Sequence, residues 1–357
     1  MWKAVACFLL ITSTAGYAQS RDPAIVSVTG FIDAYSAWNR NHPADDRNFP
    51  PGIGSTASRS TLLNLNLVVV DVQRQPRRWG FHLVAGAGPA MDVLHSGETT
   101  DGHLQRDFRQ FVYQASLLYA PSERMELEAG IYPSHIGFES FLSKDDWTYT
   151  RGWLAEFSPY YQTGVKGTFR VAGHLTAQLH VVRGWQLIVD NNHALSFGTQ
   201  VAWTGDRLSA ALNTHAGPEL PDDTRHQRAL IDLVVTGLVT PQTKIAASID
   251  VGEQQALSGS PSRWWGMGVQ ARREVTPRLA VATRIERFVD RRGVVAGDIG
   301  AVTGITSTVE VRRAVLWKFE ARYDVASSPI FHRGEQFARN QLLFVAGGVF
   351  TIPRSHL

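Results

Sequence analysis

The sequence predicts an all-β chain: a closed antiparallel transmembrane β-barrel of about 16 strands, with short periplasmic turns and long extracellular loops. Three observations carry that expectation. Apolar and polar residues alternate with a period of two along much of the chain, tight-turn signals recur at near-constant spacing, and past the N-terminal leader no apolar run is long enough to cross a bilayer as a helix. Strands closed into a cylinder are the remaining way to span lipid with every backbone hydrogen bond made.

Composition narrows the alternatives. Of 357 residues, 44% are hydrophobic and 19% charged, too apolar for a disordered chain and too polar on average for a bundle of transmembrane helices. The 35 Lys and Arg against 32 Asp and Glu leave a net charge of +3. That slim excess does not make the basic surface a nucleic-acid partner requires.

Lys3 precedes an apolar stretch from Ala4 to Ile11, and small residues follow as far as Ala15-Gly16-Tyr17-Ala18. These are the basic, hydrophobic and cleavage regions of a secretory signal peptide, so residues 1–18 are expected to be removed and residues 19–357 to form one barrel domain. A membrane-anchoring helix would need roughly 20 apolar residues. Cleavage also takes Cys7, the only cysteine. An exported chain without thiols suits a Gram-negative envelope better than a eukaryotic secreted protein.

Turn signals occur at Pro76, Pro121, Ala172-Gly173, Gly205-Asp206, Pro241, Pro277 and Arg313, and from Ala172 onward they recur about every 35 residues. Each unit holds two strands, one tight turn and one longer polar loop, such as 217–225, 253–262, 291–301 and 327–338. Wider spacings earlier in the chain reflect longer loops near 96–108 and 137–157. Seven tight turns imply sixteen strands, with both termini on the tight-turn side.

Alternation assigns the faces. Trp317, Phe319, Ala321, Tyr323 and Val325 interleave with Lys318, Glu320, Arg322 and Asp324; Val281 and Ile285 oppose Arg284 and Glu286; Val165 and Phe169 oppose Lys166 and Arg170. A soluble sandwich or propeller would show the same period, with its apolar face against a second sheet. Two features favour lipid. Trp79, Tyr119, Tyr161, Trp203, Trp264, Trp265, Trp317 and Tyr323 gather near strand ends as interfacial girdles do, and ionisable side chains sit mid-strand, where a lumen can hold them in water.

Several segments resemble the OmpL-like β-barrel porin family of Gram-negative outer membranes: Gly30-Phe31-Ile32-Asp33-Ala34-Tyr35, Gly130-Ile131-Tyr132-Pro133 with Ile136-Gly137-Phe138-Glu139-Ser140, and Trp147-Thr148-Tyr149-Thr150-Arg151. Arg183-Gly184-Trp185-Gln186 with Asp190-Asn191-Asn192, Arg284-Ile285-Glu286-Arg287-Phe288 and Glu320-Ala321-Arg322-Tyr323-Asp324 continue in the family's order and are the specific matches. The resemblance implies an outer-membrane barrel with porin-like diffusion. One departure is the end of the chain: Phe350 is expected to close the last strand, with Thr351–Leu357 trailing behind the aromatic that the insertion machinery reads.

A sixteen-stranded barrel leaves an aqueous channel, so the expected function is passive diffusion of small hydrophilic solutes or ions through a charged lumen. Arg284, Glu286, Glu310, Arg312, Glu320, Arg322 and Asp324, with Lys166, Arg170 and Asp33 as weaker candidates, are expected to point inward and border the water, where fixed charge sets ion preference. The bland counterpart is that they pair with one another and stiffen the wall. The loop over 138–157 either folds into the lumen, with Glu139, Lys144, Asp145, Asp146 and Arg151 narrowing the path, or stands outside as a lid.

Catalytic motifs are missing: there is no Gly-x-Ser-x-Gly elbow and no His-Glu-x-x-His. No catalytic residue, metal or cofactor is expected. The competing readings are a non-conducting structural or adhesive barrel, whose lumen would be plugged, and a lipase built on a lipid-facing Ser–His pair. Expected partners are outer-membrane lipid and lipopolysaccharide, the barrel-assembly machinery during insertion, and the diffusing solutes. Trimers are common among sixteen-stranded porins, so a homotrimer stands beside the monomer as an expected assembly.

Overall fold

A computed structural model describes residues 25–98 and 108–356; the expected signal peptide and Cys7 lie outside the described residues. The chain runs through β1 (Ser27–Asn39), β2 (Asn64–Arg74), β3 (Trp79–Ala87), β4 (Val112–Ser122), β5 (Met125–Pro133), β6 (Tyr161–Ala172), β7 (Leu175–Val182) and β8 (Ser196–Thr204). It continues with β9 (Leu208–Pro218), β10 (Gln227–Thr240), β11 (Thr243–Gln254), β12 (Ser262–Thr276), β13 (Leu279–Asp290), β14 (Gly300–Arg312) and β15 (Leu316–Ala326). A small hairpin, β16 (Phe331–Arg333) and β17 (Gln336–Ala338), interrupts the last long loop before β18 (Asn340–His356).

Each barrel strand pairs antiparallel with its sequence neighbours, and β18 pairs with both β15 and β1, which closes the cylinder at sixteen strands. Closure leaves no edge strand with unpaired backbone. The seven short connections fall where the turn residues place them, with two adjustments: Pro121 lies inside the end of β4, where the turn itself is Glu123-Arg124, and Ala172 is the last residue of β6, where the turn is Gly173-His174. Proline has no N–H for the ladder, and the β4–β5 register slips between Tyr119 and Ser122 to accommodate it.

The outer face carries a continuous apolar band. Leu83, Leu117, Val165, Leu179, Ile249, Ile285, Ile305 and Phe319 are all exposed there, as are Trp79, Trp203, Trp265, Trp317 and Tyr323 nearer the rims. Tyr161 and Trp264 do not belong to the girdles. Both are buried inside the barrel; Trp264 and Trp265 are consecutive in β12, so they must face opposite ways. The chain end also differs from expectation. β18 does not stop at Phe350: Thr351 pairs with Phe31, Ile352 with Gly30 and, past a bulge, Ser355 with Val28.

The inner face is not uniformly polar. Strands β1, β2 and β18 turn Phe31, Tyr35, Leu67, Val69, Leu343, Val345 and Val349 inward, where they are buried. Loops entering from the long-loop rim cover them. Helix α1 (Pro89–Leu94) brings Met91 and Leu94 against Leu67 and Val69, and Phe141, Tyr160 and Ile188 join that cluster. A second cluster gathers Phe49, Tyr149, Trp153, Phe157 and Phe331. Apolar side chains on an inner wall are stable only when something dry packs against them, and here it is the chain's own loops.

Candidate constriction site

The segment between β5 and β6 crosses the lumen. It leaves β5 at Ser134, whose Oγ accepts from Ile136 N at 3.1 Å, and turns again where Asp146 Oδ1 accepts from Ser140 N at 2.7 Å. Such side-chain-to-backbone bonds shape a loop without a regular ladder. The one-turn helix α2 (Trp153–Glu156) precedes the return to β6.

The wall made by β13, β14 and β15 holds this loop with charge. Arg284 Nη1 donates to Glu139 Oε1 at 2.8 Å, to Thr148 Oγ1 at 2.5 Å and to Thr150 O at 2.7 Å, while its Nε donates to Glu286 Oε1 at 2.9 Å. Glu320 accepts from Tyr149 N at 2.6 Å, and from Thr150 N and Thr150 Oγ1 at 3.2 and 2.5 Å. Lys318 Nζ donates to the carbonyls of Ser143 and Asp146 at 2.6 and 2.5 Å. Arg322 donates to Asp324 and to Arg151 O, and its guanidinium lies 4.9 Å from the Phe49 ring centroid and 5.1 Å from that of Trp153. Asp324 accepts from Trp153 Nε1 at 2.7 Å. Arginine suits this task because its planar fork serves several acceptors at once and stacks on aromatic faces.

Further holds come from both flanks. On β1, Asp33 accepts from Tyr149 Oη at 2.8 Å and Ser143 Oγ at 2.7 Å. On β10 and β11, Asp232 accepts from Gly137 N at 2.8 Å and Asp250 accepts from Ser158 Oγ at 2.9 Å, which clips the loop near both ends. Two glycines make the approach close. A Cβ on Gly347 of β18 would lie 2.2 Å from the Tyr149 ring, and one on Gly152 would lie 2.4 Å from the Glu286 carboxylate.

The ten inward candidates therefore divide by location. Arg284, Glu286, Glu320, Arg322, Asp324 and Asp33 are buried; all but Glu286 donate to or accept from loop side chains or backbone within 3.2 Å, and Glu286 braces Arg284. Glu310 and Arg312 form a ladder with Arg272 and Glu274 nearer the tight-turn rim: Arg272 reaches Glu310 at 2.8 Å, and Arg312 pairs with Glu274. Lys166 pairs with Glu128 at 2.5 Å and lies over the Tyr132 ring. Arg170 is exposed at the tight-turn mouth, bonded to the Glu123 carbonyl. Of the loop candidates, Glu139, Asp146 and Arg151 are buried, while Lys144 pairs with Asp145 at 2.7 Å at a partly open position. Burial alone would raise the Glu139 carboxyl, but Arg284, the Gly152 N–H, Arg151 and Gln270 together outweigh it and hold Glu139 below the usual glutamate range. Burial raises the Asp146 carboxyl well above its usual range, and the Glu139 charge pushes the same way.

Sequence reasoning left Lys318, Asp232 and Asp250 out of the site. The alternation already turned Lys318 inward beside Glu320, and lone aspartates in Leu230-Ile231-Asp232-Leu233 and Ser248-Ile249-Asp250-Val251 were readable as inward positions of otherwise apolar strands. The wall made by β7, β8 and β9 was not singled out. There β7, β8 and β9 present Gln178, His180, Gln200, Asn213 and His215, all buried and none of them carboxylate or ammonium. His135 at the loop's start stacks on His180 at 4.0 Å between ring centroids and meets Thr214 O at 3.0 Å. Buried polar atoms without a hydrogen-bond partner include Tyr132 Oη, Thr163 Oγ1, His180 Nδ1 and Gln200 Oε1 on strands β5 to β8; others lie on Asn66, Gln270, Asp290 and Arg312, and in the loop on Asp146 and Arg151.

Cavities open on either side of the loop. One of about 270 Å³ on the long-loop side is lined by Glu156, Ser158, Trp185, Glu219 and Arg228. One of about 660 Å³ at the tight-turn mouth is lined by Glu123, Arg124, Arg170, His174 and Asp206. Between them, a space of about 20 Å³ beside Glu139, Ser158, Gln270, Arg284 and Glu286 is near the size of a single water.

Solved structures share this architecture. An anion-selective porin from Comamonas acidovorans is similar with a TM-score of 0.60 at 11% identity, over 93% of this chain and 99% of that one. The outer membrane channel DcaP of Acinetobacter baumannii gives 0.58 at 12% identity over 91% and 97%, and the trimer form of OmpT from Vibrio cholerae gives 0.59 at 10% identity over 91% and 98%. At these identities the likeness is one of fold. No curated protein sequence matches the chain. The family described as "Putative beta-barrel porin-2, OmpL-like" matches residues 25–352, and with that span the chain is a member of it: a porin-type outer-membrane β-barrel.

Proposed function

We propose that this barrel passes small hydrophilic solutes or ions by passive diffusion, through a bore set by the loop between Ser134 and Tyr160. The observation that carries the reading is the seating of that loop on buried charge. Arg284, Glu320, Arg322, Lys318 and Asp33 act first as its anchors, and through it they fix the width of the path. The open side of this reading lies along β5 to β8, where Tyr132 Oη, Thr163 Oγ1, His180 Nδ1 and Gln200 Oε1 are groups that water would satisfy. Around the loop, buried Asp and Glu outnumber buried Lys and Arg about two to one among the described residues, which favours cations in the narrow zone. The anion selectivity of the Comamonas porin belongs to that protein. A homotrimer in the outer membrane is the assembly we propose, by analogy with the OmpT trimer.

Reconstitution into planar bilayers tests this. Small ohmic steps, with a reversal potential on the cation side in a salt gradient, are expected; a cation preference that is absent would remove the role given to the carboxylates. One observation favours the structural-barrel reading instead: apolar clusters fill the lumen beneath the long loops. A folded, heat-modifiable barrel that never conducts would decide for it.

A further inference from the structure

Charged side chains are scarce on the outer surface of the strands, and they are not evenly spread. Arg287 of β13 points out among Ile285 and Met267, three residues from the long-loop end of its strand. Arg263 points out near the same end of β12, and Arg291 and Arg292 open the loop after β13. Met267 pairs with Arg287 and Trp265 with Val289, the last pair of the β12–β13 ladder, and Arg263 and Arg291 follow beyond it at the same rim. Arg292 Nη1 donates to Ser260 O at 2.9 Å and so bridges the two neighbouring loops. Arg287 Nη1 donates to Thr303 Oγ1 at 3.0 Å, which fixes its direction across β14.

Little within the protein neutralises this group. Glu253 pairs with Arg263 at 2.6 Å, the one ion pair among these four arginines in the described residues. Asp298 is exposed in the loop after β13, and Asp290 points inward, where it accepts from Val295 N and Ala296 N. Trp265, 38% exposed, lies between Arg263 and Met267 with its indole toward the membrane interface. An arginine on a lipid-facing wall needs an acceptor that water cannot supply deep in the interface, and phosphate meets the guanidinium fork in two parallel hydrogen bonds.

We infer that Arg263, Arg287, Arg291 and Arg292 form a binding site for the phosphates of an outer-leaflet glycolipid, with Trp265 against its sugar–acyl junction. The site requires the barrel to sit in the outer membrane with its long loops outward; it does not require conduction, so a silent channel leaves it standing. The probe is bisphosphorylated lipid A, with retention on the folded protein read by native mass spectrometry. The triple variant Arg263→Gln/Arg287→Gln/Arg292→Gln should retain it about tenfold less than the unaltered protein, and the unaltered protein should prefer it over dephosphorylated lipid A by a similar factor. Arg273→Gln is the matched control. Arg273 also bonds a threonine on the adjoining strand, Thr243, but at the tight-turn rim, and its loss should leave retention unchanged. If the triple variant fails the heat-modifiability check, Arg287→Gln alone should lower retention about threefold. Equal retention by the folded variants, equal binding of dephosphorylated lipid A, or full displacement by millimolar inorganic phosphate would overturn the glycolipid assignment.

Discussion

Two walls of one barrel face each other across the loop, and they are built from different chemistry. The β13–β15 wall presents Arg284, Glu286, Lys318, Glu320, Arg322 and Asp324, and nearly every polar atom there is spent on a partner. The β7–β9 wall presents amides and imidazoles, touches the loop mainly through His135, and keeps polar atoms without partners. A buried charge is tolerated only when fully paired, so the charged wall cannot also be the wettest one. The difference teaches that ionisable residues facing into a barrel report an internal ligand as readily as a water path, and here the ligand is the chain itself.

The strongest way to break the contrast is to empty the charged wall. Arg284→Ala leaves Glu139 and Glu286 buried side by side without their cation, a loss of about 3–5 kcal/mol for a broken buried pair. The loop should detach while the hydrogen-bonded cylinder persists. Single-channel conductance is expected to rise several-fold with the heat-modifiable band retained, and an unchanged conductance would mean that the loop does not set the bore.

Glu320→Gln is gentler. The amide keeps one acceptor oxygen but turns a donor toward Tyr149 N, Thr150 N or Thr308 Oγ1, at a cost of about 1–3 kcal/mol for an unmade buried bond. Loop docking should become incomplete, visible as flicker in open-channel current and as new protease cleavage near Tyr149. A quiet, uncut variant would show that the remaining anchors suffice.

These contrasts explain what the sequence could and could not disclose. The strand number and the turn rim follow from the recurring turn signals, and the inward set Lys318, Glu320, Arg322 and Asp324 from a period of two, because the pleat leaves side chains no other choice. What faces an inward residue is a tertiary fact. Glu320 bonds a backbone 170 positions away, and no local pattern encodes that distance. The apolar inner faces of β1, β2 and β18 were hidden for the same reason: Phe31 and Val349 read as ordinary strand residues until Met91 and Phe141 are placed against them. Tyr161 was misleading because it stands at a strand end, the place of a girdle aromatic, yet its hydroxyl donates inward to Glu98.

The neutral wall offers a sharper comparison. Gln200→Glu adds a carboxylate to this wall and removes the Nε2 donor that serves Asn213 Oδ1 at 2.8 Å and the His135 carbonyl at 3.3 Å, at a cost of about 1–3 kcal/mol, while leaving every β13–β15 anchor in place. If water and ions pass along this wall, the reversal potential should move further toward cations while the heat-modifiable band is retained. The same substitution should do nothing to selectivity if the path runs along β13–β15.

Acidification should have the least effect, and its sign follows from Glu139. A carboxyl whose folded value lies below its unfolded one contributes stability above the unfolded value, and that contribution is lost only as pH falls through the folded value. Glu139 is in that position: burial opposes its charge, but Arg284, the Gly152 N–H, Arg151 and Gln270 together prevail. Between pH 7 and about pH 5 the Arg284–Glu139 clamp should therefore stay ionised, and conductance should not step upward. Asp146 shifts the opposite way, toward the protonated form, and its backbone carbonyl, not its carboxylate, receives Lys318. A conductance jump over that range would locate the controlling proton on another carboxylate and separate the loop's anchoring from the pair that dominates it here.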